Sequence, residues 1–237
     1  KSMRIRGWYW TACACSANKM NVSTMFSLLG QGFLTTLAIF LLTLLGSLPL
    51  GLLVMAGRRS RNMLLRGVVK TYISIMRGTP LMLQLMVVFY GPKLLLGITV
   101  PGNWRFTAVI LAFVINYAAY FGEIYRGGLE SIPQGQREAA QVLCYSRGQT
   151  FFRILLPQMI KRVLPSVTNE VITLVKDTSL ASVIGTVEMF TRAKQIVASP
   201  QTPGMLALAA AGVFYYVFNY GVAFAMEKCE KAFAYYN

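Results

Sequence analysis

Five ionisable side chains interrupt apolar stretches of this sequence and are the first residues to consider for chemistry: Arg77, Glu123, Glu170, Lys176 and Asp177. A charge inside the hydrocarbon core is costly, so it marks either a functional site or a pairing contact. Arginine can hold a carboxylate through two hydrogen bonds, and a carboxylate can hold an ammonium group. A cavity with one arginine and several carboxylates would therefore suit a zwitterion such as an amino acid.

Polar side chains recur at helical spacing around these charges. The two stripes comprise Asn116, Tyr120 and Glu123 in one stretch, and Asn169, Glu170, Thr173, Lys176 and Asp177 in another. Positions three, four or seven apart share a helix face. Because exposing such polar faces to lipid would cost too much free energy, we expect them to line a cavity or a subunit contact. Ion pairs that only lock spans together are the alternative, and Arg77 and Glu170 could lie at similar depth and pair.

The composition indicates a membrane protein. Of 237 residues, 55% are hydrophobic and 13% are charged, with a mean hydropathy of +0.53. Soluble domains carry roughly 25% charged residues, so a soluble or disordered chain is disfavoured. With no His and a single Asp, a membrane enzyme is poorly supported, and no cofactor or metal is expected. In a membrane protein, we attribute a net charge of +15 to basic residues concentrated on one side of the bilayer. We therefore expect no nucleic-acid partner.

Five stretches are long and apolar enough to cross a bilayer, which needs about 20 residues per helix. They are 32–56, 71–96, 104–125, 163–185 and 205–226. Thirteen Lys and Arg residues fall in the 58–70 and 126–162 loops and after the last span, against four on the other side. The positive-inside rule therefore predicts that these loops and the C-terminus are cytoplasmic. Residues 1–19 break this pattern and are expected to be a non-native or disordered extension, which leaves 20–237 as one transmembrane domain.

The 127–162 connection is predicted to be structured. Ser131 and Ser146 each precede a Gln by three residues, which is typical of a helix start. Two short helices are expected at 133–143 and 147–155, with Pro157 ending the second. Exposed apolar residues (Ala139, Ala140, Leu143 and Phe151) indicate a docking element, and a helix lying in the lipid interface is the alternative.

Several motifs in order along the chain carry a family resemblance. They are Arg77-Gly-Thr-Pro-Leu81 with Gln84, Glu123-Ile-x-Arg126-Gly-Gly, Gly135-Gln136, Glu138-Ala-Ala140 followed by Ile154-x-Leu156-Pro157, and Lys176-Asp-Thr-Ser-Leu180. The Glu138 motif resembles the EAA motif of ABC-transporter permease subunits. The whole set is similar to the polar amino-acid uptake permeases of the histidine/glutamine type, from about Met20 to Asn237.

The resemblance implies a fold, partners and sites. The fold would be an all-α membrane protein with five transmembrane helices and a helical cytoplasmic coupling loop, in a bacterial cytoplasmic membrane. The partners would be a second permease subunit, two ATPase subunits and an extracytoplasmic solute-binding protein. The chain itself has no G-x-x-x-x-G-K-[ST] motif for ATP phosphates, so we expect a transport subunit and not an enzyme. ATPase-coupling residues would be Gln136, Glu138, Ala139, Ala140, Leu143, Cys144, Ser146 and Arg147.

The expected substrate-binding residues are Arg77, Thr79, Gln84, Tyr117, Tyr120, Asn169, Glu170 and Thr173. Because Glu123, Lys176 and Asp177 match family-wide motifs, a gating or structural role is favoured for them. Cys144 departs from the pattern, because the family usually has Gly there. Either that turn is rebuilt or it tolerates strain. A self-contained amino-acid carrier or channel remains the alternative function, although no internal repeat or selectivity filter is visible in the sequence.

Overall fold

A computed structural model describes residues 21–199 and 204–233 of the chain. Within these residues the regular structure is helical, and no strand occurs. The helices are α1 (Val22–Arg58), α2 (Met63–Gly78), α3 (Leu81–Leu96), α4 (Trp104–Glu130), α5 (Gln134–Val142), α6 (Arg147–Gln149), a π-helical turn (Thr150–Leu155), α7 (Leu156–Asp177), a 3₁₀ segment (Thr178–Ile184), α8 (Met189–Val197) and α9 (Gly204–Phe233). The predicted 1–19 extension lies outside the described residues.

Helices α1 and α4 form the closest pair in the fold because small residues let their backbones approach. A Cβ built on Gly51 would lie 2.8 Å from Phe121, and one on Gly122 would lie 2.6 Å from Val54. Gly46 meets Val114 in the same way, at 2.8 Å. Small residues at such contacts are the usual means of packing helices in a membrane. Gly46 and Gly51 of α1 therefore serve as packing positions against α4.

The span count differs from the sequence prediction. Among the residues that the structure describes, three helices (α1, α4 and α9) are long and apolar enough to cross a bilayer, and α2 with α3 makes a fourth if that bent pair is one span. The angle between α2 and α3 is 110°, so an uninterrupted span over 71–96 is wrong. Helix α7 is also long, but every stretch of 18 residues within it contains Lys161, Arg162 and Glu170, so it is more charged than these three helices. The structure therefore supports an all-helical, permease-like fold with three or four candidate spans.

The corner between α2 and α3 has a local cause. Pro80 disfavours helical geometry in the residue before it, and Thr79 is accordingly extended, with φ −124° and ψ 148°. Helix ends leave carbonyl groups without partners. Here the side-chain amide of Gln84 donates to the carbonyl oxygens of Met76 (3.0 Å) and Thr79 (3.1 Å). The polar corner is thereby stabilised by the chain itself.

The loop after α4 is built largely as predicted, with two corrections. Ser146 forms a capping box with Gln149, as expected. Ser131 does not cap α5, because it lies at the end of α4 and its hydroxyl donates to the carbonyl of Gly128. Pro157 does not end a helix, since it occupies the first turn of α7, directly after the π-helical turn. Residues 147–177 therefore run on as one helical rod with a π-helical turn inside it.

Cys144 occupies the turn between α5 and α6 in a left-handed conformation, with φ +57°. It is the only non-glycine residue with positive φ in the part of the chain that the structure describes. The turn is therefore not rebuilt around Gly148. Cys144 takes the geometry that favours glycine and tolerates its cost.

Candidate functional site

Helices α4 and α7 meet through a hydrogen bond between two predicted site residues. The hydroxyl of Tyr117 donates to Oδ2 of Asp177 over 2.8 Å. Tyr117 is 2% exposed, and Asp177 is half-buried at the last turn of α7. A buried carboxylate with a single neutral donor retains acceptor capacity for another group. The pair therefore fixes one edge of a polar face and leaves Asp177 able to accept a further donor.

Arg77 lies near this polar face without a direct carboxylate partner. Its guanidinium lies 5.3 Å from the ring centroid of Tyr120, a cation–π arrangement. Its charge reaches both Glu170 and Glu123 electrostatically. No ion pair within 4 Å joins Arg77 to Glu170 in the described residues, so the suggested direct pair is not formed. Arg77 is exposed, and its hydrogen-bond donors are free to meet a ligand.

Two predicted binding residues, Thr79 and Gln84, bond to one another. The Gln84 amide donates to the Thr79 hydroxyl over 2.8 Å, and its carbonyl oxygen accepts from Asn116 over 2.9 Å. Asn116 also donates to the carbonyl of Met76 over 3.1 Å. These amides hold the α2–α3 corner against α4. Asn116 belongs to the predicted polar stripe but was not among the predicted site residues, because its partner at the corner is not visible in the sequence.

Glu123 sits in a chain of charges at the same end of α4 as the loop. It forms an ion pair with Arg126 at 2.8 Å and a longer one with Arg58 at 3.8 Å. Arg126 also pairs with Glu130. The network ties the end of α1 to the end of α4, a geometry that fits a structural or gating role.

The remaining predicted site residues of α7 differ in whether their side chains bond within the chain or are exposed. The Thr173 hydroxyl donates to the backbone of Asn169 over 2.9 Å, whereas the Asn169 and Lys176 side chains are exposed and Glu170 is half-buried. Thr178 and Ser179 both bond back to the helix backbone, and the chain tightens there into the 3₁₀ segment. The polar face thus presents Glu170, the Asn169 amide and Lys176 to the space beside α7.

The predicted coupling residues form a surface that is only partly apolar. Ala140 is buried and Phe151 is half-buried, so the expectation that both are exposed is wrong. Leu143 is 68% exposed, and Val142 (83%) and Phe152 (67%) lie near it, although neither was predicted. Glu138 is exposed and accepts from Gln134, and Gln136 bonds to Gln158 of α7. The loop is thus held against α7 and presents a polar and an apolar face.

Glu188 is a buried carboxylate that sequence reasoning missed. Its side chain is fully buried and caps α8, accepting from the backbone of Phe190 (2.6 Å) and Thr191 (2.7 Å). The hydroxyls of Thr191 (2.8 Å) and Tyr215 (3.2 Å) also donate to it. Burial raises the pKa of this carboxyl above its usual value, and the hydrogen bonds act in the opposite direction. Glu is not a usual capping residue, so only the tertiary contact with Tyr215 identifies it.

The helical fold and its polar face indicate a membrane transport component. Comparison with known families shows to which family of transport components the chain belongs. Residues 47–234 match the family of the binding-protein-dependent transport system inner membrane component. The chain belongs to this family. The ABC permease resemblance inferred from the motifs is confirmed.

Individual relatives cover most of the chain. It is 36% identical over 202 residues to the arginine transport system permease protein ArtQ of Bacillus subtilis, covering 85% of this chain and 90% of that one. It is 32% identical to a putative glutamine transport system permease protein GlnP of Rickettsia bellii, again covering 85% and 90%. A crystal structure of an amino acid ABC transporter with histidines superposes with a TM-score of 0.80 at 28% identity, over 89% of this chain and 96% of that one.

Proposed function

We propose that this chain is the membrane-spanning subunit of an ATP-driven importer for a polar amino acid. The observation that carries the proposal is the polar face formed by Arg77, Glu170, Asp177 and Tyr117 beside otherwise apolar helices. The relatives named for arginine and glutamine transport agree with such a substrate.

The proposed topology has five crossings. Helices α1, α4 and α9 each make one, the bent pair of α2 and α3 makes one, and α7 with its 3₁₀ extension makes the fifth. The charges of α7 are compatible with a crossing if its polar face lines the pathway, where they avoid lipid. Helix α7 also packs on α4 and α9, which places it within the bundle. The loop with α5 and α6 and the C-terminus then share the cytoplasmic side.

Substrate recognition follows from the free groups of the polar face. Arg77 would hold the substrate carboxylate bidentately. Glu170 and Asp177 would hold the ammonium group, because each keeps acceptor capacity after its contacts within the chain. Asn169 and Thr173 would border the same space, whereas Thr79 and Gln84 would shape it by fixing the corner that carries Arg77.

Energy would come from a separate ATPase subunit docked on α5 and α6. The exposed Glu138, Val142 and Leu143 would contact it, and a second permease chain and an external binding protein would complete the transporter. Nucleotide can shift the permease between inward-facing and outward-facing states only if the docking contact differs between them. The helical rod from α6 to α7 connects that contact directly to the polar face.

Reconstitution tests the function and separates it from a self-contained carrier or channel. The chain would be placed in proteoliposomes with and without its ATPase and binding protein, and uptake of radiolabelled arginine and glutamine would be followed. We expect uptake only when ATP and all partners are present. Uptake by the chain alone would contradict the proposal and support the carrier or channel.

Arg77→Ala tests the carboxylate contact. We expect reduced uptake of all α-amino acids to a similar degree, because every such substrate carries the same carboxylate. Lys93→Ala, which removes an exposed cation of α3, is the matched control and should leave uptake unchanged. Loss for one side-chain class only would place Arg77 at the side-chain end of the pocket.

Glu138→Lys tests the docking surface. Charge reversal on α5 should abolish uptake and stimulation of ATP hydrolysis while membrane insertion stays intact. Glu227→Lys reverses an exposed charge on α9, outside the loop, and serves as the control. Normal coupling of ATP hydrolysis in the Glu138 variant would refute the docking assignment.

A further inference from the structure

A cavity of about 630 Å³ lies between the α1–α2 turn and the loop that carries α5 and α6. Four arginines line it: Arg59, Arg61, Arg137 and Arg147. They come from two separate parts of the chain, and the fold brings them together around one space. Arg147 is also one of the predicted coupling residues, but the transport role described above assigns nothing to the cavity itself.

The positive charge of the cavity is not neutralised from within. Its lining contains no Asp or Glu among the residues that the structure describes. In those same residues the ion pairs involve Arg58, Arg126 and Lys231, and none of the four cavity arginines. Four like charges around one space repel each other unless an anion joins them. The cavity is therefore electrostatically suited to an anion.

Arg137 is one cavity arginine whose hydrogen bonds within the chain are incomplete. Its Nε atom is buried and has no hydrogen-bond partner in the described part of the chain. One terminal nitrogen of the same guanidinium donates to the carbonyl oxygen of Leu129 over 3.4 Å, which fixes the side chain in place. A buried donor without a partner costs free energy, so the chain's own contacts leave the Arg137 guanidinium incompletely satisfied.

The walls of the cavity indicate what kind of anion fits. Leu129 and Phe151 contribute apolar surface beside the arginines. Just after Arg61, α2 begins with Met63 and Leu64, which are 79% and 76% exposed. Exposed apolar residues next to a basic cluster at the end of a membrane helix are typical of contact with acidic lipids. A phosphate that carries acyl chains matches both surfaces, whereas a free phosphate would use only the arginines.

We propose that this cavity binds the headgroup phosphate of an anionic phospholipid. Arg59 holds the phosphate oxygens from the α1–α2 turn, and Arg137 holds them from α5. Both arginines also line the adjoining cavity along α5, whose lining includes Glu130 and Glu138; of these, Glu130 is already paired with Arg126. The acyl chains leave over the apolar start of α2. The lipid thereby joins the α1–α2 turn to the α5–α6 loop, which are otherwise separate at this point.

Lipid retention by the purified full-length chain tests the site. Native mass spectrometry would compare phosphatidylglycerol with phosphatidylcholine of the same acyl chains. We expect phosphatidylglycerol to be retained roughly tenfold more tightly or better, as charge-assisted hydrogen bonds imply. The double variant Arg59→Gln/Arg137→Gln should lose this preference. The double variant Arg66→Gln/Lys70→Gln removes the same charge from neighbouring α2, outside the cavity, and should keep it.

Three results would overturn the proposal. One is equal retention of the two lipids by the unaltered chain, which needs no variant to fold. Another is equal loss in both double variants, which would indicate diffuse attraction to the basic end of the bundle. The third is displacement of the lipid by millimolar inorganic phosphate, which would identify a soluble anion as the ligand. If the double variant does not fold, Arg59→Gln alone, at an exposed position, should still weaken retention.

Discussion

The backbone at Cys144 shows how one residue can carry strain in a loop that is otherwise well formed. Its φ of +57° belongs to the left-handed region, where a side chain is disfavoured by roughly 1 kcal/mol or more. The structure keeps this geometry because the amide of Tyr145 donates to the carbonyl of Ala140, and the amide of Cys144 to that of Gln141. These bonds close the end of α5. The strain could be anticipated from the sequence, but its persistence could not.

Replacing Cys144 by Gly should stabilise the protein. The left-handed conformation costs glycine little, so we expect a gain of about 1 kcal/mol in the free energy of unfolding, measured by denaturation in detergent. Cys144→Ala keeps the Cβ and should bring no gain. A gain in both variants would show that the thiol, and not the backbone, is the source of strain.

The residue types and their spacing predicted the polar face of the candidate site. The partners of its residues depend on tertiary contacts, which the sequence does not show. The i, i+3 and i+7 pattern predicted that Glu170 and Asp177 share a face, and both lie in the single helix α7, seven residues apart. The partner of Asp177 could not be foreseen, because Tyr117 reaches it from 60 residues away in the sequence. Glu188 was missed for the same reason, since its burial depends on Tyr215 of α9.

At the scale of the elements, close contacts between helices fix where the polar groups lie. Helix α1 passes α8 at Gly32, where an added Cβ would be 2.7 Å from the Cα of Met189. The amide of Met189 also donates to the hydroxyl of Thr36 over 3.2 Å. Both contacts seat the start of α8, which Glu188 caps. The sequence indicated small residues in this span, but it did not show which one meets a backbone.

Gly32→Ala should therefore destabilise the fold, because backbone atoms cannot move aside as a flexible side chain can. Gly30→Ala is the matched control in the same helix, since nothing lies within 4 Å of its added Cβ. The control should be neutral or gain about 0.5–1 kcal/mol, the usual difference between Gly and Ala in a helix. Unfolding midpoints in detergent would measure both variants. Equal stability of the two would contradict the tight contact with α8.

The break between α2 and α3 shows the limit of hydropathy as a guide to elements. The stretch 71–96 is apolar enough for one span, and a Lys or Arg count cannot reveal a bend. Pro80 gave the available signal, because it disfavours helix in Thr79. The 110° angle itself depends on the amides of Gln84 and Asn116, which only the folded chain brings together.

At the scale of the whole molecule, the polar face and the α5–α6 loop belong to one helical bundle. The hydroxyl of Thr168 in α7 donates to Glu230 near the end of α9 over 2.6 Å. Glu230 and Lys231 also line a cavity together with Lys161 and Leu164 of α7, so the end of α9 lies beside the half of α7 that is nearer the α5–α6 loop. Five crossings are consistent with this arrangement, whereas the apolar helices alone support three or four.

Thiol labelling tests the topology. Cys144 and Cys229 are both exposed, and with Cys13 and Cys15 changed to Ser they are the remaining thiols of the chain. A membrane-impermeant maleimide should label both in inside-out vesicles and neither in right-side-out vesicles. Gly102→Cys, between α3 and α4, should show the reverse pattern and serves as the control. Labelling of Cys144 and Cys229 from opposite sides would refute the five crossings.

The unbroken helix through residues 147–177 gives the molecule a mechanical property. At 1.5 Å per residue it is about 46 Å long, and it has Arg147 at one end and Asp177 at the other. Under the proposed docking, a tilt imposed on this helix at the loop would displace the carboxylates at its far end. The π-helical turn at Thr150–Leu155 is the place where the rod can yield, because its hydrogen bonds are the least regular. A stiffer turn would pass more of the movement from the loop to the carboxylates. A looser turn would uncouple the two ends of the helix while each end stays correctly folded.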